Sequence, residues 1–265
     1  MVEINSKNKV VILIAVRMKS ARLPKKAVVK IESKSAIEHL LDRLKLAKIP
    51  KAIVICTTKN REDDILVKIA KKNGVKCFRG SKEDVLARFI GAADEEKAEI
   101  VVRVTGDNIL VDPVYLDKMI KYHIKNKADY TRTEGLPSGV KCEVMSVAAL
   151  KKTRKLAERP ENSEYMTWYF TKNPEFFKIA TMPVPEKYSR LRYRLTIDEP
   201  NDYKLLKIIF KKLYKKGEKP FLWPEIVEFL DKNPKLLEIN AKVAHKDFAR
   251  MKKEINIKLK KKQYA

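Results

Sequence analysis

Four short apolar runs, at residues 10–16, 52–57, 75–78 and 100–104, are separated by three stretches in which apolar residues recur every three to four positions. Runs of that length suit strands and the spacing between them suits helices, so the first hundred residues read as alternating β and α elements. The first helix is expected to start at about Ser35, whose hydroxyl can cap it, with Ile37, Leu40, Leu41, Leu44 and Ala47 on one face. A second opens on Glu62-Asp63-Asp64, turns Ile65, Leu66, Ile69 and Ala70 inward and stops at Asn73-Gly74. Ser81 is expected to cap a third that carries Val85, Leu86, Phe89, Ile90 and Ala93, and the run at 100–104 is expected to be a central, buried strand. Such an order predicts an α/β fold with a parallel sheet.

Beyond Asp129 the pattern loosens. Short strands are expected at 128–132, 140–146 and 177–182 around a helix near 147–157, which predicts a smaller lobe over residues 128–190. A strand at 193–197 is followed by a helix with Tyr203, Leu205, Leu206, Ile209, Phe210 and Leu213, and a last helix begins near Pro224 with Ile226, Val227, Phe229 and Leu230. Residues 1–245 thus read as one domain and 246–265 as a basic tail, since 265 residues suffice for a single large core.

The net charge of +25 favours anionic partners, yet the lysines are spread over the outer faces of the expected helices, as a solvated cationic surface would have them. Only the tail is concentrated, and with Phe248 and Tyr264 as its aromatic residues it lacks the interleaved rings of a nucleic-acid binder, so nucleic acid is not an expected partner. Cys56, Cys77 and Cys142 lie far apart without a C-x-x-C spacing and read as reduced thiols. The run at 10–16 is too short to cross a bilayer and is followed by no small-residue cleavage pattern, so a cytoplasmic protein without membrane insertion is expected.

Ligands of parallel sheets bind at the carboxyl ends of the strands. Directly after the first strand stands Arg17-Met18-Lys19-Ser20-Ala21-Arg22-Leu23-Pro24-Lys25-Lys26. A triphosphate needs either backbone N–H groups from a glycine-rich turn or several fixed cations, and this loop supplies the cations. Neither G-x-x-x-x-G-K-[ST] nor G-x-G-x-x-G occurs, which argues against a P-loop ATPase or a dinucleotide-binding dehydrogenase. Asp107, after Thr105-Gly106, and Asp198, after the expected strand at 193–197, fall at strand ends; Asp198 could equally cap the helix near Pro200. Two such acids beside bound phosphates suit magnesium, and the combination points to nucleotidyl transfer.

On these residues the chain resembles the cytidylyltransferases of the spore coat polysaccharide type, relatives of the enzymes that make CMP-activated sialic acid and Kdo. Residues 15–26 are similar to that family's Q-A-R-M-G-S-T-R-L-P-G-K, Thr57-Thr58-Lys59-Asn60-Arg61-Glu62-Asp63-Asp64 to T-T-D-N-P-E-D-D, and residues 78–88 to F-R-G-S-x-x-D-V-L-x-R. Residues 102–113 resemble V-R-x-T-G-D-C-P-L-x-D-P, Arg194-Leu195-Thr196-Ile197-Asp198 resembles R-W-T-V-D, and the stretch from Ile226 to Asn240 resembles the end of these proteins.

The resemblance implies a three-layer, Rossmann-like nucleotide-diphospho-sugar transferase fold of GT-A-like type with a mostly parallel sheet. It implies transfer of CMP from CTP to an anionic sugar or sugar-like acceptor with release of pyrophosphate, in surface glycan biosynthesis, by a homodimer. Asp107 and Asp198 would hold Mg2+, while Arg17, Arg22 and Lys26 would contact CTP together with Ala15, Ser20, Arg79 and Gly80. Arg103, Asn108, Glu143, Glu164, Tyr165 and Arg194 would lie on the acceptor side, with 128–190 as the acceptor or dimer lobe. The chain departs from the family pattern at Lys19 and Lys25, which replace glycines, and at Tyr165, which replaces a histidine. These losses define the alternative of a catalytically degenerate nucleotide-binding scaffold. His39, His123 and His245 fall on expected helices as packing or exposed residues.

Overall fold

The alternating pattern becomes a seven-stranded sheet in the computed structural model, which describes residues 9–20, 22–159, 163, 165–243 and 259–260. The chain runs β1 (Val10–Ala15), a small antiparallel ribbon of β2 (Lys30–Ile31) and β3 (Lys34–Ser35), then α1 (Ala36–Leu44), β4 (Ala52–Thr58), α2 (Asp64–Lys72), β5 (Lys76–Gly80), α3 (Val85–Glu95) and β6 (Ile100–Thr105). It continues through α4 (Pro113–Asn126), β7 (Tyr130–Glu134), β8 (Glu143–Ser146), α5 (Val147–Leu156), α6 (Thr167–Thr171), β9 (Ile179–Pro183), α7 (Pro200–Leu213), α8 (Trp223–Lys232) and α9 (Glu238–Ala241).

The sheet order is β5-β4-β1-β6-β8-β7-β9, with β6 at its centre. β5, β4, β1 and β6 are parallel, β8 is antiparallel to both neighbours, and β9 runs parallel to β7. The segment 128–190, expected as a smaller lobe, thus supplies three strands to the same sheet. Alternate residues of each strand serve opposite faces. Val10, Ile12 and Ile14 pack with α1, α2, α4, α7 and α8, while Val11 and Leu13 pack with α3, α5 and α6. The result is three layers, and Arg103 and Thr105, in register with Val101 on β6, share the face covered by α3, α5 and α6.

Three local expectations are corrected. Ser81 does not cap α3; Asp84 does, its carboxylate accepting the Ala87 N–H at 2.7 Å, because Ser81 lies a turn too early and instead accepts the Asp84 N–H. Ser35 is the N-cap residue of α1, but its hydroxyl donates to the Glu38 carboxylate, which also accepts the Ser35 N–H. Residues 193–197 form no ladder strand: they pass the sheet with one bridge, between Ser138 and Arg194. His245 and most of the basic tail lie outside the described residues; Leu259 bridges Ala157. No helix of the described residues is long and apolar enough to cross a membrane. All three cysteines are free, and burial pushes the Cys56 and Cys142 thiols up, leaving them inert core groups.

His39 and His123 are buried, and each makes a hydrogen bond at 2.8 Å, His39 Nε2 with the Ile31 carbonyl and His123 Nδ1 with the Thr131 hydroxyl. Burial lowers the His123 pKa from 6.5 to about 4. Below pH 6.5 the unfolded chain therefore takes up a proton that the native chain refuses, so stability is full above pH 6.5 and falls as the pH drops toward 4. At pH 5 the expected loss from His123 is about 2 kcal/mol. Urea unfolding at pH 7 and pH 5 checks it: His123→Gln should flatten the difference, and an unchanged slope would remove this assignment.

Candidate active site

The loop that follows β1 is fixed at both ends by groups distant in sequence. At its start the Met18 N–H donates to Asp63 Oδ1 at 2.7 Å, and the same buried carboxylate accepts the Thr58 N–H and hydroxyl at the end of β4. Asp63 reads in the sequence as one of the acids opening a helix, and its role as the anchor of the cationic loop is invisible there. Gly106, just before Asp107, does not adopt a left-handed backbone. Its value is space: a Cβ there would lie 2.6 Å from Val16 Cγ2, so the glycine lets the ends of β1 and β6 close on each other. At the far end, Lys25 has φ 54°, the left-handed conformation in which glycine carries no penalty. The loop thus keeps a glycine-type backbone at one position where the family glycine is absent.

Asp107 and Asp198, 91 residues apart, meet at one cation. Lys26 Nζ lies 2.7 Å from Asp107 Oδ2 and 2.5 Å from Asp198 Oδ1. Arg22 adds a second contact, 3.1 Å to Asp198 Oδ2, and pairs with Glu199 at 3.2 Å. Burial acts to raise the Asp107 pKa, but Lys26 outweighs it and holds the carboxyl below its usual range. For Lys26 burial acts to lower the pKa and the two aspartates overcome it, so the ammonium stays charged. The loop, the end of β6 and the segment before α7 therefore converge on a site with alternating fixed charges. Among the described residues no group of three or more His, Cys, Asp or Glu side chains is set to hold a metal. A pair of carboxylates already gathered around one cation suits magnesium, which takes one or two carboxylates and completes its shell with phosphate oxygens and water.

Asp198 arrives there on irregular chain. Leu195 N–H donates to Ser138 O at 2.9 Å and Ile197 N–H to Asp107 O at 3.0 Å, which ties the segment to the turn after β6 and to the chain before β8. Gly139 makes this approach possible, because a Cβ at that position would fall 2.1 Å from the Leu195 carbonyl oxygen. Arg194, expected on the acceptor side, is a buried residue whose guanidinium forms a two-pronged pair with Asp202, Nε to Oδ1 at 2.8 Å and Nη2 to Oδ2 at 2.9 Å, and also lies 3.7 Å from Asp198 Oδ2.

The other expected residues divide. Ala15, half-buried, ends β1 opposite Thr105, and Arg17 and Ser20 are half-buried in the loop. Arg79 clamps the β4–α2 connection through the carbonyls of Thr58 and Asn60, both at 2.9 Å, and through Asp64 at 2.7 Å. Gly80 ends β5 where a Cβ would meet Phe78 at 2.9 Å, so it serves packing. On the acceptor side Arg103 and Glu143 face each other across β6 and β8, with Nη1 2.5 Å from Oε2, and Tyr130 donates to the other Glu143 oxygen at 3.1 Å. Arg103 Nε is buried without a hydrogen-bond partner. Asn108 is half-buried in the turn after β6, donating its N–H to Thr105, and Tyr165 stacks on Trp168 with ring centroids 4.6 Å apart. Glu164 lies outside the described residues.

Comparison with known proteins agrees with this geometry. The spore coat polysaccharide biosynthesis protein SpsF of Bacillus subtilis is 33% identical over 233 residues, 86% of this chain and 96% of that protein. A solved cytidylyltransferase of Leptospira borgpetersenii is 32% identical and superposes with a TM-score of 0.82 over 90% of this chain and 100% of that one. A CMP:2-keto-3-deoxy-manno-octonic acid synthetase solved with CTP has the same fold, with a TM-score of 0.60 at 17% identity over 77% of this chain and 99% of that one. The model of the cytidylyltransferase family matches residues 11–229, a span that includes the cationic loop and both aspartates, and the chain belongs to that family.

Proposed function

We propose that this protein transfers the cytidylyl group of CTP to an anionic sugar or sugar-like acceptor and releases pyrophosphate. The observation that carries the reading is the meeting of Asp107, Asp198, Lys26 and Arg22 at the carboxyl ends of the strands, a charge pattern suited to a triphosphate and its counter-ion. An acceptor oxygen attacks the α-phosphorus in line, the bond to the β-phosphate oxygen breaks, and pyrophosphate leaves. Arg22 and Lys26 bind the departing phosphates and offset the charge that grows on them. Asp107 and Asp198 would hold magnesium, which when bound neutralises phosphate charge and sets the nucleotide's orientation. Arg103, beside Glu143 and Tyr130 on the opposite face of β6 from Val102, supplies a cation for the anionic acceptor.

The left-handed backbone kept at Lys25 favours catalysis over a degenerate scaffold, since the loop does not depend on that glycine for its course. The name of the Bacillus subtilis relative supports surface glycan biosynthesis as the setting, and a cytoplasmic homodimer completes the proposal. Pyrophosphate release with each of the four nucleoside triphosphates, with and without magnesium, against a panel of anionic sugars and phosphorylated small acids tests it. Magnesium-dependent release with CTP and one acceptor is expected. Tight CTP binding with no release across the panel would leave the scaffold as the better account.

A further inference from the structure

An acid that must hold a cation gains from a rigid setting, yet Asp198 sits on chain with no ladder of its own. The support comes from Asp202, four residues on and fully buried. Its carboxylate accepts five donors: Arg194 Nε at 2.8 Å and Nη2 at 2.9 Å, Asn240 Nδ2 at 2.9 Å, and the backbone N–H groups of Asp198 at 3.2 Å and Glu199 at 3.1 Å. Two consecutive N–H groups on one carboxylate oxygen fix the turn that aims Asp198 at Lys26 and Glu199 at Arg22. Asn240 closes the arrangement from α9, its amide also donating to the Arg194 carbonyl at 2.8 Å. Asn240 is buried and lies beyond residue 229, where the family match ends.

We propose that Arg194, Asp202 and Asn240 form a positioning network that orients Asp198 for a divalent cation, making residues 234–241 part of the scaffold of the active site. The inference rests on the reading of Asp198 as a metal-holding group. A network that merely capped α7 would affect stability alone, so the deciding readout is metal binding. Manganese binding to the full chain is followed by electron paramagnetic resonance, with and without CTP, for the wild type, Asn240→Ala and Asn233→Ala. The last removes an amide brace to the Phe229 carbonyl in the same C-terminal region and serves as the control.

Asn240→Ala is expected to weaken manganese binding about tenfold or more, with the KM for CTP changed less than about twofold, and excess metal should restore most of the lost kcat. Asn233→Ala should bind manganese as the wild type does. If Asn240→Ala does not accumulate as folded protein, Asn240→Ser, a small polar side chain without the reach of the amide, is read in the same way. Unchanged manganese affinity in a folded Asn240 variant overturns the network. A wild-type chain that binds no manganese, even with CTP, overturns instead the metal assignment on which the network rests, so the two failures are told apart by which protein shows them.

Discussion

Asp107→Asn is expected to lower magnesium-dependent transfer from CTP about a thousandfold while leaving CTP binding in the absence of metal as tight as in the wild type or tighter. The substitution keeps the shape of the side chain and removes one negative charge from a site that must accept a polyphosphate. Lys26 would still have Asp198 at 2.5 Å, so the loop keeps an anchor and the fold has little reason to change. What is lost is a group that stays ionised at neutral pH because Lys26 outweighs its burial. If the two aspartates served only as partners of Lys26, the result would run the other way: freeing Lys26 toward the phosphates would preserve or raise turnover. Calorimetric titration with CTP in a chelator, beside steady-state pyrophosphate release, separates the two. Full activity in Asp107→Asn removes the metal assignment.

The sequence reveals this molecule unevenly, for a physical reason. β1, β4, β5 and β6 and the helices between them are legible because each is encoded locally, by apolar runs and by helical spacing such as Leu40, Leu41 and Leu44. Asp107 is legible because a buried strand delivers it. Asp198 comes to lie beside Lys26 although the strand expected at 193–197 does not form; the carboxylate arrives on chain tied to Ser138 and Asp107. Partners set by tertiary distance stay hidden. Asp63 and Asp202 both stand at helix starts, where acids are ordinary, and nothing local says that one holds the Met18 N–H and the other the Asp198 turn. Nor does the sequence around Arg194 announce the buried carboxylate that its guanidinium meets. The strands from 128 to 190 are found only approximately, since their place in the sheet depends on an antiparallel β8 that the preceding β-α alternation does not announce.

Gly139→Ala is expected to destabilise the protein by at least about 3 kcal/mol and to reduce transfer with it. Gly139 has φ 101°, and a Cβ there would lie 2.1 Å from the Leu195 oxygen, 2.2 Å from its carbonyl carbon and 2.6 Å from the Thr196 nitrogen. All three are backbone atoms, so no side-chain rotation relieves the clash. The two segments cannot simply part, because Ser138 O accepts the Leu195 N–H at 2.9 Å and Gly139 O accepts the Leu110 N–H at 3.1 Å. Any relief must move residues 194–198 or residues 137–140, and the first of these carries Asp198. Gly217 provides the control, with φ 87° and nothing within 4 Å of the point its Cβ would occupy, so Gly217→Ala meets the backbone penalty without the collision. Thermal unfolding should show Gly139→Ala melting about 6–12 °C below the wild type, at roughly 2–4 °C per kcal/mol for a chain of this size, and Gly217→Ala much closer to it. Manganese binding by the surviving folded fraction of Gly139→Ala should be weakened as well, because the clash displaces the segment that bears Asp198. Equal melting points for the two variants, with normal turnover in both, would mean that the approach of residues 138–139 to 194–196 neither holds the fold together nor sets the carboxylate in place.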